Sequence, residues 1–287
     1  MGNHDTSSGY LRVQATMGQP VTLIVYFVVT FLMSWTAWFG AGVIAPDASG
    51  PHGIIRTVLI YVGTFAPAVV ALAMTAIETG RTGVGALIRR LVQADVAPRW
   101  YVYAIGYVFA IKLAIATVHR VVWGGWPPFS DEPIVLLFAA TFVSTILLGQ
   151  AGEELGWRGY VLSRLAARLG YAWSSLIIGT VWALWHLPLF YIAGADKTGQ
   201  SFPIWGLSVV ALSVAITWLY AHTGGSLLLT MLMHAATNNL GSIVSGATLG
   251  ATDVWTFRAS PMMTLTLVGL WIPAVWFLVK MPRYAPA

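Results

Sequence analysis

Residues 21–44 read "VTLIVYFVVTFLMSWTAWFGAGVI", and none of these twenty-four consecutive positions carries a charged side chain. The hydrocarbon core of a bilayer is about 30 Å thick, so a spanning helix needs about 20 mostly apolar residues. Similar apolar segments follow at roughly 54–77, 99–122, 133–151, 172–192, 203–221, 225–245 and 261–280. The sequence therefore predicts an all-α, polytopic bundle of transmembrane helices with about eight spans.

The composition supports a chain that lies in lipid. Hydrophobic residues make up 57% of it and charged residues 9%, whereas a soluble domain carries about 25% charge. A backbone in lipid must satisfy its own hydrogen bonds, which leaves only helices or a closed barrel. Barrel strands alternate apolar and polar residues, but these apolar stretches are unbroken. The absence of cysteine excludes disulfides, thiolate nucleophiles and cysteine zinc sites.

We predict one transmembrane helical domain at 21–280, with a catalytic core at 140–245 and short cytoplasmic tails at 1–20 and 281–287. The inner loops would then carry the basic residues Arg81, Arg89, Arg90, Arg158, Arg164 and Arg168, with Lys280 and Arg283 at the C-terminal end. This asymmetry follows the positive-inside rule and predicts a plasma-membrane protein with both termini in the cytoplasm. The basic residues form no stripe interleaved with aromatics, so we expect no nucleic-acid partner.

The inner loop between the second and third segments has two interpretations. It could hold a short amphipathic helix, with Leu87, Leu91 and Val92 facing lipid and Arg89 and Arg90 facing water or headgroups. A plain basic loop that obeys the topology rule fits the same residues.

Few ionisable residues lie within the apolar segments, and each is a functional candidate because charge at membrane depth is costly. They are Lys112, His119 and Arg120 in the third segment, Glu153 and Glu154 closing the fourth, His186 in the fifth and His234, near Asn238 and Asn239, in the seventh. Two histidines from separate helices and two glutamates from a third are hard to explain as unrelated packing accidents. The pattern predicts a shared polar centre.

The two adjacent glutamates have different tasks available. Glu154 and Arg158, four residues apart in "AGEELGWRG" (151–159), share a helix face and can form an ion pair. Glu153 is rotated by about 100° from Glu154 around the helix, so it does not face Arg158 and is available for catalysis. We expect it to act as a general base on a water molecule.

Two further residues of the polar centre complete a candidate hydrolase site. His186 would help Glu153 to hold the water, while His234 and Asn238, one helical turn apart, would donate hydrogen bonds to the oxyanion. Such a centre would be a hydrolase site without a serine or cysteine nucleophile.

Three short motifs resemble, in order, those of the CPBP family, which comprises the CAAX proteases and bacteriocin-processing intramembrane proteases and is also called the Abi family. They are "EELGWR" (Glu153, Glu154, Arg158), "WALWH" (Trp182, His186) and "HAATN" (His234, Asn238). Trp182 stands where the family pattern has phenylalanine, and we expect it still to line the pocket.

The resemblance implies a fold and a site. The fold would be an eight-helix bundle whose conical cavity opens to the cytoplasm and laterally to lipid. Glu153 and His186 would activate water, and His234 and Asn238 would support the oxyanion. Glu154 and Arg158 would orient the centre.

The sequence leaves the cofactor open. Glu153, His186 and His234 are the candidate ligands of a catalytic Zn²⁺, which keeps three protein ligands and one open position. A metal-free glutamate mechanism is equally open.

The substrate and the reaction class also have alternatives. An endopeptidase would act on a peptide or protein in or at the lipid bilayer, and a prenylated CAAX protein, a leader peptide or another membrane protein all qualify. The alternatives to an enzyme are a noncatalytic binding or bacteriocin-immunity protein, and a proton-coupled transporter with Glu153, His186 and His234 as its relay.

Overall fold

The computed structural model describes residues 19–44, 50–147, 150–244, 253–257 and 259–282. The helices are α1 (Gln19–Ile44), α2 (Gly50–Arg89), α3 (Pro98–Trp123), α4 (Ile134–Ile146), α5 (Ala151–Glu154), α6 (Ser163–Trp185), α7 (Phe202–His222), α8 (Leu227–Leu240) and α9 (Pro261–Lys280). A π-helix at Leu155–Leu162 joins α5 to α6, and 3₁₀ turns at Arg90–Val92, Leu187–Phe190 and Gly241–Ile243 follow α2, α6 and α8. The all-α prediction is confirmed for these residues, whereas the predicted tails lie almost entirely outside them.

Each of the eight predicted apolar segments contains a helix, but these helices differ in length. Within the described ranges, the helices long and apolar enough to cross a membrane are Pro20–Ile44, His52–Val92, Pro98–Trp123, Phe202–His222 and Pro261–Lys280. Ile134–Ile146 and Ala151–Trp185 form a bent pair, at 47°, that could be a sixth span. Helix α8 has 14 residues and is about 21 Å long, which is short of the hydrocarbon thickness. The structure thus supports a polytopic membrane protein with five or six such spans.

Helix α7 is at the centre of the bundle. Of its most apolar stretch, 72% is buried inside the protein. The corresponding buried share is 22% to 33% in the other four long apolar helices. It packs against α6 and α9, while α8 packs against α3 and α4. The outer helices present large apolar side chains outward, as a lipid environment requires: Val43, Ile77, Val121 and Val279 are each more than three-quarters exposed.

The two ends of the bundle can be told apart by their connections. At one end, which we call the basic face, the α2–α3 connection meets the α7–α8 turn, where Ser226 Oγ donates to the carbonyl of Gln93 at 2.7 Å. At the other end, the opposite face, the α3–α4 connection pairs with the end of α8 through a bridge between Phe129 and Val244. Residues 191–201 lie on this opposite face as well, because they precede α7.

The segment after α2 is helical but does not face lipid in the predicted way. Helix α2 breaks at Gly80 (φ 65°, ψ −163°) and resumes as a short helix up to its end. Leu87 and Leu91 are buried in the protein core, so the expectation that they face lipid is wrong, whereas Val92 is exposed. The helix is held against the α7–α8 turn, because Arg90 donates two hydrogen bonds to the carbonyl of Gly225 at 2.9 and 3.0 Å.

Several arginines used to predict the orientation are engaged inside the protein. Arg158 is fully buried and paired with Glu154, and Arg164 pairs with Glu78. Arg90 bonds to the α7–α8 turn. The described basic residues that are exposed on the basic face are Arg81, Arg89, Arg99, Arg168 and Lys280. These exceed the two exposed or half-buried ones on the opposite face, Arg120 and Lys197, so the charge asymmetry persists in a smaller form.

Candidate active site

The segment that carries the two glutamates lies very close to α2. A Cβ added to Gly152 would lie 2.8 Å from the carbonyl oxygen of Thr64, and one added to Gly156 would lie 2.6 Å from Cβ of Pro67. Small residues four positions apart let helix backbones approach in this way. Immediately after Glu154 the chain enters the π-helix. This geometry is rare in proteins, and where it occurs it is often part of a functional site. The glycines and the wide turn together fix where the glutamates lie.

Glu154 connects two of the three motifs. Its side chain is fully buried, and its Oε1 accepts from Arg158 Nη1 at 2.8 Å and lies 3.0 Å from Nδ1 of His234. An ionised carboxylate only accepts hydrogen bonds, so Nδ1 of His234 carries a hydrogen. The other ring nitrogen, Nε2, then remains for the cavity that His234 lines. The predicted ion pair is present, and the same carboxylate also orients His234.

Glu153 faces the second motif. Its Oε2 accepts a hydrogen bond from Nε1 of Trp182 at 2.5 Å and lies 3.9 Å from Nε2 of His186. Nδ1 of His186 lies 2.8 Å from the carbonyl oxygen of Trp182, so Nδ1 carries the hydrogen and Nε2 of the neutral ring is an acceptor. A separation of 3.9 Å is too long for a direct hydrogen bond. A water molecule between the two acceptors can donate to both, which leaves its lone pair free.

One cavity of about 610 Å³ brings the predicted catalytic residues together. Glu153, His186, His234 and Asn238 all line it. Asn238 is exposed to this space and makes no hydrogen bond with another described residue, whereas Asn239 bonds to the carbonyl of Ala235 at 2.8 Å. Further lining residues include Trp38, Arg56, Trp182, Trp185, Lys197 and Trp205.

Trp182 has a role that the sequence did not reveal. Its position in the cavity wall was expected, but its hydrogen bond to Glu153 was not. The Arg158 guanidinium lies 4.5 Å from the centre of the ring, and the ring of His234 packs edge-on at 5.2 Å. The available signal was the replacement of phenylalanine by tryptophan, because only the indole ring brings an N–H donor.

The other ionisable residues that were singled out from the sequence, Lys112, His119 and Arg120, lie outside this cavity. His119 and Arg120 bond to the carbonyls of Gly125 and Gly124 and so close the end of α3. Lys112 lies in a separate, smaller cavity. Of these candidates only the residues of the three motifs reach the cavity, whose wall also includes Arg56, Asp196 and Lys197.

The predicted metal ligands do not form a metal centre as they are arranged. In the described part of the chain, no three His, Asp or Glu side chains are grouped as a metal site requires. His186 and His234 each keep Nε2 for the cavity, but Oε2 of Glu153 already accepts from Trp182 at 2.5 Å, and the described residues do not bring the three groups together. The arrangement of Glu153, His186 and His234 does not fit a three-ligand zinc site.

The cavity opens at the opposite face of the bundle. Residues 194–197, which precede α7, form part of its wall together with Arg56 near the start of α2, and the Asp196 side chain there is 69% exposed. Two expectations conflict on this point. The charge asymmetry predicts a cytoplasmic basic face, while the family resemblance implies a cavity open to the cytoplasm, and only one of them can hold for this fold.

Comparison with known proteins gives two matches. Residues 133–240 match the family model described as "Type II CAAX prenyl endopeptidase Rce1-like". That range contains all seven predicted site residues. The chain is also 25% identical over 224 residues to "CAAX prenyl protease 2" of Methanococcus maripaludis, an alignment that covers 74% of this chain and 81% of the relative. With three motifs converging on one cavity, these matches support a peptidase and make the chain similar to CAAX prenyl proteases over the part that carries the motifs.

Proposed function

We propose that this protein is an intramembrane endopeptidase that hydrolyses peptide bonds with a water molecule activated by Glu153 and His186. The observation that carries the proposal is the convergence of Glu153, His186, His234 and Asn238, from three separate helical segments, on one cavity. Cavities of about 300–1,000 Å³ are typical of small-ligand sites, and this one, at about 610 Å³, has room for a short stretch of peptide.

The first chemical step follows from the acceptors that Glu153 and His186 present. A water bound between Glu153 Oε2 and His186 Nε2 donates to both and attacks the carbonyl carbon of the scissile bond. As the new C–O bond forms, Glu153 takes the proton as a general base. The same proton then passes to the leaving amine as the C–N bond breaks. Trp182 supports this step because its N–H holds the carboxylate in place.

Negative charge develops on the substrate oxygen during that step, and the third motif is placed to stabilise it. The side-chain amide of Asn238 can donate whatever the state of its neighbours. His234 donates through Nε2 only when its ring carries a second proton, because its Nδ1–H is directed at Glu154. Donors preorganised for an oxyanion are often the largest contribution to catalysis, so we assign the main donation to Asn238.

The substrate class in this proposal is a peptide or protein in or at the membrane. A prenylated CAAX protein is the first candidate, since the matched relative is named a CAAX prenyl protease. A leader peptide and another membrane protein are the alternatives. The Glu153–His186 pair would serve all three, because it acts on the peptide bond and not on the lipid.

For the orientation, we propose that the basic face lies in the cytoplasm of a plasma-membrane protein, with both termini on that side. The support is the excess of exposed basic residues on that face, as the positive-inside rule requires. The substrate would then enter the cavity from the opposite side or laterally from the bilayer.

The test of the function is cleavage by purified protein in detergent. The variants Glu153→Gln and His186→Ala are compared with wild type on a broad library of membrane-anchored peptides. We expect cleavage to fall by about 10²- to 10⁴-fold, the usual range for loss of acid–base catalysis. The control is Glu132→Gln, an exposed carboxylate on the α3–α4 connection. Equal cleavage by wild type and both site variants would refute the proposal.

The same samples decide between the glutamate mechanism and a metal. Bound zinc is measured directly, and activity is followed through dialysis against a chelator. Activity that disappears with the metal and returns with added zinc would replace the mechanism above.

A further inference from the structure

Lys112 is a buried cation that the proposed chemistry does not use. It lies in the middle of α3, one of the long apolar helices, and is only 9% exposed. A charged group at such depth is costly unless it is paired. Its position therefore requires a partner.

The described residues around Lys112 supply only weak contacts. Nζ of Lys112 lies 3.4 Å from the carbonyl oxygen of Val244 and 3.5 Å from the hydroxyl of Thr266, whereas protein N–H···O bonds centre near 2.9 Å. None of the ion pairs formed by the described residues includes Lys112. An ammonium group has three donors, so this one has unused capacity for an anion.

Lys112 faces a cavity of about 240 Å³ that has mixed walls. Gln200, Ser208 and Thr266 supply polar groups, and the remaining lining residues are Ile204, Trp205 and Met263. Trp205 and Ser208 also line the catalytic cavity, and the Trp205 ring packs against the His186 ring at 5.0 Å. The Lys112 cavity therefore adjoins the catalytic cavity at Trp205 and Ser208 of α7.

We propose that Lys112 binds a carboxylate group of the peptide substrate, in a subsite adjoining the catalytic cavity. The proposal rests on the proposed peptidase function. The carboxylate is that of the peptide's C-terminus or of an acidic side chain, and both present the same anion.

The size and charge of the cavity favour a carboxylate. A single buried cation matches a group with one negative charge, whereas a phosphate, with up to two charges, is typically bound by several donors or by arginine. The small volume suits an end group or one short side chain. In a peptidase, this is the anion that the substrate brings with it.

The test is binding of labelled peptides to the full chain carrying Glu153→Gln, followed by fluorescence anisotropy in detergent. Three peptides of the same sequence end in a free carboxylate, in an amide, or in an amide with one added glutamate. We expect a carboxylate-bearing peptide to bind about 10- to 100-fold more tightly than the plain amide, as a buried hydrogen bond to a charged group implies. Tighter binding of the peptide with a free C-terminus would identify the C-terminal carboxylate as the bound group. Tighter binding of the peptide with the added glutamate would identify an acidic side chain.

Lys112→Met in the same Glu153→Gln protein should abolish that preference, because it should weaken binding of the carboxylate-bearing peptides and leave binding of the plain amide unchanged. Lys280→Met, which removes an exposed lysine at the end of α9, should leave it intact. If Lys112→Met is not monodisperse, Lys112→Gln, which keeps a polar end group, takes its place.

Three results would overturn the proposal. They are equal binding of all three peptides, a carboxylate preference that survives the loss of Lys112, and Lys112-dependent binding of phosphatidylglycerol without any preference among the peptides. Binding in this assay needs no cleavage. A Lys112-dependent preference in a wild-type protein that cleaves nothing would therefore refute the peptidase and leave the subsite standing.

Discussion

Replacing Trp182 by phenylalanine removes one hydrogen bond from the site and little else. The indole N–H that donates to Glu153 at 2.5 Å is lost, while an aromatic ring remains between Arg158 and His234. Both partners of the lost bond are buried, with exposures of 2% and 8%. Buried hydrogen bonds to a charged group contribute about 1.5–3 kcal/mol, which corresponds to about a 10- to 100-fold change in rate.

The assay compares kcat and KM for wild type, Trp182→Phe and Trp185→Phe on the best cleaved peptide of the library. Trp185 is the matched control, because it lines the same cavity but donates its N–H to Ser34 at 2.7 Å. We expect kcat to fall 10- to 100-fold for Trp182→Phe with little change in KM. For Trp185→Phe we expect a lower thermal midpoint and a nearly unchanged kcat. Full activity of Trp182→Phe, or an equal loss in both variants, would refute the positioning role.

Three further outcomes can be measured on the purified protein. Gly156→Ala should lower the free energy of unfolding by about 1–3 kcal/mol through overpacking against α2, whereas Gly85→Ala, with open space around its Cβ, should be neutral or stabilising in thermal melts. Glu154→Gln should cost about 3–5 kcal/mol, because it leaves a fully buried guanidinium uncompensated, and a melt shift of less than a degree would contradict this. Since the chain has no cysteine, a single introduced cysteine can report the orientation of the protein in the membrane. In intact cells, an impermeant maleimide should label Glu132→Cys on the opposite face but not Asp95→Cys on the basic face. The reverse pattern would put the cavity mouth in the cytoplasm.

The sequence predicted the helical class, and it singled out candidate residues that line one cavity, for simple reasons. Uncharged runs of about twenty residues have few structural alternatives in lipid. Ionisable residues inside such runs are rare enough to be functional candidates one by one. The pairing of Glu154 with Arg158 followed from spacing on a helix. These arguments use only residues that are close together in the sequence, so they needed no knowledge of how the helices pack.

The features that the sequence did not predict depend on contacts between distant segments. The hydrogen bond from Trp182 to Glu153 joins helices whose relative rotation no periodicity fixes. The burial of Leu87 and Leu91 depends on the α7–α8 turn that covers them. The number of helices that cross the membrane also depends on bends, since α4 ends after only 13 residues.

The π-helix also constrains chain length. In an α-helix each residue adds about 100° of rotation, and a wide turn accommodates an extra residue that a regular helix would not. An insertion or deletion in Leu155–Leu162 that the wide turn does not absorb would rotate the following residues around the helix axis. Arg164 would then leave Glu78, its partner on α2. Natural variation in this region should consequently consist of substitutions, with insertions and deletions confined to the connections between helices.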